Sequence, residues 1–212
     1  MSSSNLVRWR GLALLISSVL FALLFILHPG SGDPATVEAA LNKFYATEHT
    51  LGVVGMVLML FGMEGLYTGQ TPKIGRLGLI GVMLAYIGTA LLLGVIFFDA
   101  YFIPLIAAHA PNLLDASGPF NTPPGVLALA LPGLPWGLGF ILVGIATMRA
   151  GMLPRWAGLI LIIGTIVVNL PPQPVGPVPF FVLTIGASVF SVGLGWLGYA
   201  LWSTKGAITA QS

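Results

Sequence analysis

The sequence predicts an all-α fold: a polytopic transmembrane helical bundle of six spans, with its N- and C-termini in the cytoplasm. Three observations predict it. The composition is too apolar for water, the apolar runs have spanning length, and the basic residues gather on one side of the runs. Charged residues are 7% of the 212 and hydrophobic residues 57%, against roughly 25% charged in a typical soluble domain. A soluble fold cannot bury that much apolar surface, so lipid is the expected solvent for most of the chain. The bilayer is thus the first expected partner, and the cytoplasmic membrane of a prokaryote the expected location.

The first run, 11–28, follows Arg8 and Arg10 and ends at His28-Pro29-Gly30. It is longer than a signal-peptide core and lacks a small-residue cleavage site, which predicts a retained helix. Asp33-Pro34 has the form of an N-cap and first helical residue. It opens an outer interfacial segment over 34–49, which can run on into the second span, 50–68. Gln70-Thr71-Pro72-Lys73 is a short turn. The third span covers 77–98, followed by a second interfacial segment over 100–110 that Pro104 kinks or ends.

Residues 111–124 are rich in Asn, Asp, Ser, Gly and Pro and form the clearest loop. The fourth span, 126–148, is interrupted by Leu131-Pro132-Gly133-Leu134-Pro135. That predicts either a kink or a short interfacial helix followed by a shorter span. Pro154 opens the fifth span, 154–170, which stops before Pro171-Pro172-Gln173-Pro174. The sixth covers 179–202.

Basic residues orient the bundle. Arg8, Arg10, Lys73, Arg76, Arg149, Arg155 and Lys205 fall inside when the N-terminus is inside, and only Lys43 falls outside. Trp9, Trp156 and Trp202 share that inner boundary as interfacial anchors.

Helices in lipid associate over small residues. Gly55, Gly62 and Gly69 stripe the second span, Gly78, Gly81, Ala85 and Gly88 the third, and Ala187, Ser191 and Gly195 the sixth. Spans 2, 3 and 6 are the expected tightly packed centre. The same glycine-rich faces also suit a homo-oligomer or a membrane-protein partner. The stretch Arg149-Ala150-Gly151-Met152-Leu153-Pro154-Arg155-Trp156-Ala157-Gly158 resembles an R-x-G-x-L-P-R-x-x-G hinge of uncharacterised bacterial six-span membrane families. The resemblance covers about ten residues and the helix that follows. It implies the topology and no activity.

Several chemistries are excluded or unsupported. With no cysteine there are no disulfides, thiolate metal sites or Cys nucleophile. A formal charge of +2 with scattered basic residues does not suit nucleic acid. H-E-x-x-H and G-x-S-x-G are absent, and most of the 28 glycines lie inside spans rather than in phosphate-binding turns.

The polar residues with chemical potential sort by side. His28, Glu48, His49, Asp99, His109 and Asp115 lie at or beyond the outer ends of the first three spans. Imidazole and carboxylate ligate transition metals, and imidazole ligates haem iron. His28, His49 and His109 are the candidate metal or haem ligands, with Glu48 or Asp99 as a fourth ligand or an orienting group. The plainer reading is that helix ends are where polar residues cost least in a membrane. Glu64, inside the second span, is a candidate ion or proton site. Its plain alternative is snorkelling, or pairing with Lys73, Arg76 or Arg149. The sequence favours a non-enzymatic, membrane-embedded binding or accessory component with no ligand identified. The alternative is an extracytoplasmic metal or haem site, redox or hydrolytic in purpose, built on the three histidines. A small transporter or channel using Glu64 comes third.

Overall fold

The computed structural model describes residues 3–29, 37–71, 73–115, 117–170 and 178–203. Asp33-Pro34, the 171–174 proline cluster and Lys205 lie outside the described residues. The protein is all-helical, and five of its helices are long and apolar enough to cross a membrane.

Helix α1 (Ser3–Ile26) starts eight residues before the apolar run, so Arg8 and Arg10 sit within its first turns. A single helical turn, α2 (Val37–Ala40), precedes α3 (Tyr45–Thr68). The two do not form the continuous helix that 34–49 allows. Asn42 breaks it: its side-chain oxygen accepts the Phe44 N–H at 3.0 Å, and its carbonyl accepts that of Tyr45. Asn competes well for backbone partners in this way, which favours turns over helix interiors.

The long helix α4 (Gly75–Tyr101) leads into the short α5 (Ile103–His109), with Pro104 in its first turn, where the missing N–H costs nothing. The interrupted fourth run resolves into α6 (Pro123–Ala130) and α7 (Gly133–Ala150). Gly151 ends α7 in the left-handed region at φ 62°, its N–H bonded to the Thr147 carbonyl. Pro154 then restarts the chain as α8 (Arg155–Val168), so the Arg-x-Gly…Pro-Arg hinge is a left-handed stop followed by a proline start. Finally, α9 (Phe180–Ser203) returns to the end where α1 began.

Six helices close a ring in chain order. α1 packs against α3 and α9, α4 against α3 and α7, and α8 against α7 and α9. Consecutive ring members run antiparallel: Gly65 meets Arg10 and Gly52 meets Leu24, at opposite ends of the α1–α3 pair. One apolar core draws on all six. At its centre the rings of Phe21, Trp136, Phe140 and Phe190 lie 4.7–5.7 Å apart.

This corrects the expected centre. Spans 2, 3 and 6 do not converge, because their glycines serve pairwise contacts around the ring. Gly88 of α4 faces the Trp136 backbone, Gly62 of α3 faces Leu14, and Gly193 of α9 faces Leu161. Glycine identifies a close approach but not the neighbour, and α1, with few glycines, supplies much of the packing.

Large apolar side chains such as Phe61, Ile80, Leu138, Ile163, Phe181 and Val192 point outward. That surface suits lipid and not water. At the end of the bundle remote from the start of α1 and the end of α9, a second small core joins Ala39, Ala40, Tyr45, Ile103, Ala107 and Leu114. This core brings α2 and α5 over the start of α3.

Candidate metal centre

At that remote end, α1 stops at Ile26 and His28 follows in the turn before Pro29. Glu48 and His49 lie in the opening turns of α3. Tyr45, Glu48, His49 and Gly52 make its buried face, with the i, i+3, i+4, i+7 spacing that puts residues on one side of a helix. A carboxylate in a first turn is also favoured by the helix dipole. Packing of α1 against α3 therefore delivers His28 to Glu48 across 20 residues of sequence.

The geometry is tight. The Nδ1 of His28 lies 2.9 Å from Oε1 of Glu48, and the Nδ1 of His49 lies 2.6 Å from the same oxygen. One donor atom from each of the three residues falls within 4.8 Å of the others. Glu48 is 2% exposed and His49 5%, while His28 is partly buried. In the interior each of these groups needs a partner.

Hydrogen-bond chemistry assigns a proton. The Nδ1 of His49 faces the Tyr45 carbonyl at 2.9 Å as well as Glu48 Oε1. Both are acceptors, so this nitrogen carries the hydrogen, and the lone pair of the neutral ring is on Nε2. A ring nitrogen held by a carboxylate or carbonyl while the other is free is the usual arrangement behind a metal-bound histidine. Glu48 Oε2 is buried with no hydrogen-bond partner, an acceptor left over after both rings have been oriented.

Aromatic packing fixes the rings. Tyr45 packs on His49 at a tilt of 34° with centroids 4.2 Å apart, and His28 lies 5.3 Å from His49 and 5.1 Å from Phe180. Asp99, partly buried near the end of α4, interacts electrostatically with His28, His49 and Glu48. It brings a third helix and a second acid to the site.

The donor set fits one ion. Two ligands at about 2.1 Å from a shared ion stand about 3.4 Å apart in a tetrahedral site, so donor atoms within 4.8 Å of one another need only a small shift to share it.

The other candidates lie elsewhere. His109 ends α5 exposed and is outside the group formed by His28, Glu48 and His49. Glu64 is at the opposite end, 53% exposed, in an ion pair with Arg10. Its partner is neither Lys73, Arg76 nor Arg149. Gly65 lets the Arg10 Cβ come close to α3, which brings the guanidinium to Glu64. Nothing in the spacing of α1 or α3 alone pointed to Arg10.

Sequence reasoning also missed Tyr45 and Gln70. Tyr45, 2% exposed, read as part of an interfacial segment. Its position four residues before His49 was the available signal. Gln70, 0% exposed, read as a turn residue. Its Nε2 donates to the Leu66 carbonyl and to Thr147 Oγ1, while Oε1 is buried with no partner. No known protein family, curated protein or solved structure matches the chain.

Proposed function

We propose that this chain is a six-span protein of the cell membrane, with both termini in the cytoplasm, that binds a transition-metal ion at its outer face through His28, Glu48 and His49. It does so as a binding component and not as a hydrolase. One observation carries the reading: two imidazoles and a carboxylate, from the turn after α1 and the start of α3, share a nearly buried point, with Glu48 Oε2 unpartnered.

Six spans rather than five follows from counting α8. At 14 residues it is about 21 Å long, short of the roughly 30 Å hydrocarbon. Yet it packs between α7 and α9 as a full ring member, and local thinning of the bilayer accommodates short spans. Even parity then puts Arg8, Arg10, Arg76, Arg149 and Arg155 at one end, which the positive-inside rule makes cytoplasmic. The metal site is accordingly extracytoplasmic. The glycine faces are used within the ring, which supports a chain that folds without a second copy.

The test is elemental analysis of detergent-purified protein beside a His28→Ala/His49→Ala variant. The reading expects about one bound transition metal per chain in the parent and none in the variant at equal folding. A parent free of metal after incubation with Zn(II), Co(II) and copper salts overturns it.

A further inference from the structure

The buried face of α3 continues below His49 with a second set of donors. Met56, Met59 and Met63 are at most 1% exposed and follow one another at i, i+3 and i+7. Residues at such spacings are neighbours on one helix face. They are three of the seven methionines in the chain. Gln70 comes seven residues after Met63, in the turn beyond α3, fully buried and with Oε1 unpartnered. Glu48 Oε2 is the unpartnered acceptor at the other end.

From Glu48 to its end at Thr68 the helix rises about 30 Å, close to the thickness of the hydrocarbon layer, and Gln70 lies in the turn that follows. Methionine alone is a common core filler. A thioether row with a buried, unsatisfied oxygen acceptor at each end is a different arrangement. The Thr89 hydroxyl, 3.9 Å from the Met59 sulfur, adds an oxygen at mid-depth. Gly52 carries no side chain between His49 and Met56, and the methyl ends of Leu24 and Ile96 pack into that gap.

We propose that α3 carries a track for a soft monovalent cation, Cu(I), running from the His28–Glu48–His49 site past Met56, Met59 and Met63 to Gln70. Thioethers select Cu(I) over hard cations, and imidazole also accepts copper. The ion crosses as Cu(I), so no redox step is involved. The outer site serves as the point of entry. The track itself stands on the methionines and Gln70, independently of whether that site retains a metal.

Uptake of Ag(I), the redox-silent analogue of Cu(I), into proteoliposomes holding the full chain tests this. The parent, Met59→Leu/Met63→Leu and His28→Ala/His49→Ala are compared. Met-to-Leu exchange nearly conserves volume, and circular dichroism checks that the variants fold. The track predicts Ag(I) uptake by the parent, a fall of tenfold or more in the leucine variant, and slower entry in the alanine variant. Methionine-dependent uptake by a parent that retains no metal at its outer site upholds the track while removing the function proposed above. Uptake that is absent in the parent, or equal in the parent and the leucine variant, overturns the track.

Discussion

His49 Nδ1 lies 2.9 Å from the carbonyl of Tyr45, one turn earlier on the same helix, and the two rings pack at a tilt with centroids 4.2 Å apart. The imidazole is thus held by the backbone of its own helix and by its neighbour's ring before any ion arrives. Preorganisation of this kind is what separates a binding site from a chance cluster of polar side chains.

Removing the donors discriminates between the histidines. His28→Ala and His49→Ala each abolish stoichiometric metal binding, whereas His109→Ala, at an exposed position on α5, leaves it unchanged. Dialysis followed by elemental analysis reads all three.

Glu48 orients two rings through one oxygen, so its charge matters more than its volume. Glu48→Gln keeps the size and is expected to weaken metal affinity by about 10- to 100-fold. Isothermal titration of the detergent-solubilised protein checks this. Unchanged affinity would make Glu48 a bystander.

Protons compete with the metal for imidazole and carboxylate, so affinity falls as pH falls. Bound metal is released on acidification and recovered on return to neutral pH. A titration flat across the acidic range contradicts ligation by these groups.

The ring packing makes a contrast between two glycines of α4. A Cβ on Gly88 meets the backbone nitrogen and Cα of Trp136, which cannot withdraw, whereas nothing lies within 4 Å of one on Gly94. Gly88→Ala is expected to cost about 1–3 kcal/mol through overpacking, and Gly94→Ala to be tolerated. Thermal unfolding in detergent ranks them.

Much of the fold was legible because lipid simplifies the code. Every spanning segment must satisfy its own backbone, so apolar length and proline or glycine punctuation suffice to find the helices. The proline pair at 132 and 135 marked the α6–α7 break, and the glycine–proline hinge marked the passage from α7 to α8. What could not be read was adjacency. Glycine stripes state that something comes close, and they misdirected the centre toward α4 and α9, when α3 and α9 both lean on α1. The site followed the same rule. Glu48 and His49 are neighbours in sequence, but His28 reaches them only through the α1–α3 contact. Arg10 reaches Glu64 by that contact too, and so the partner of Glu64 was unreadable.

The Arg10–Glu64 pair is exposed at the end of the bundle where α1 starts. Pairs of this kind contribute no more than about 1 kcal/mol. Glu64→Gln is therefore expected to leave both fold and metal binding intact, as measured by size-exclusion profile and metal content. Loss of either assigns Glu64 a role beyond this pair.

The central claim is a preformed site at His28, Glu48 and His49, and a Co(II) titration of metal-free protein, followed by visible d–d absorbance, tests it most directly. The account predicts saturation at one equivalent in the parent and in His109→Ala, and no bands in His28→Ala/His49→Ala. A parent that shows no saturable absorbance, or a double variant that titrates like the parent, contradicts it.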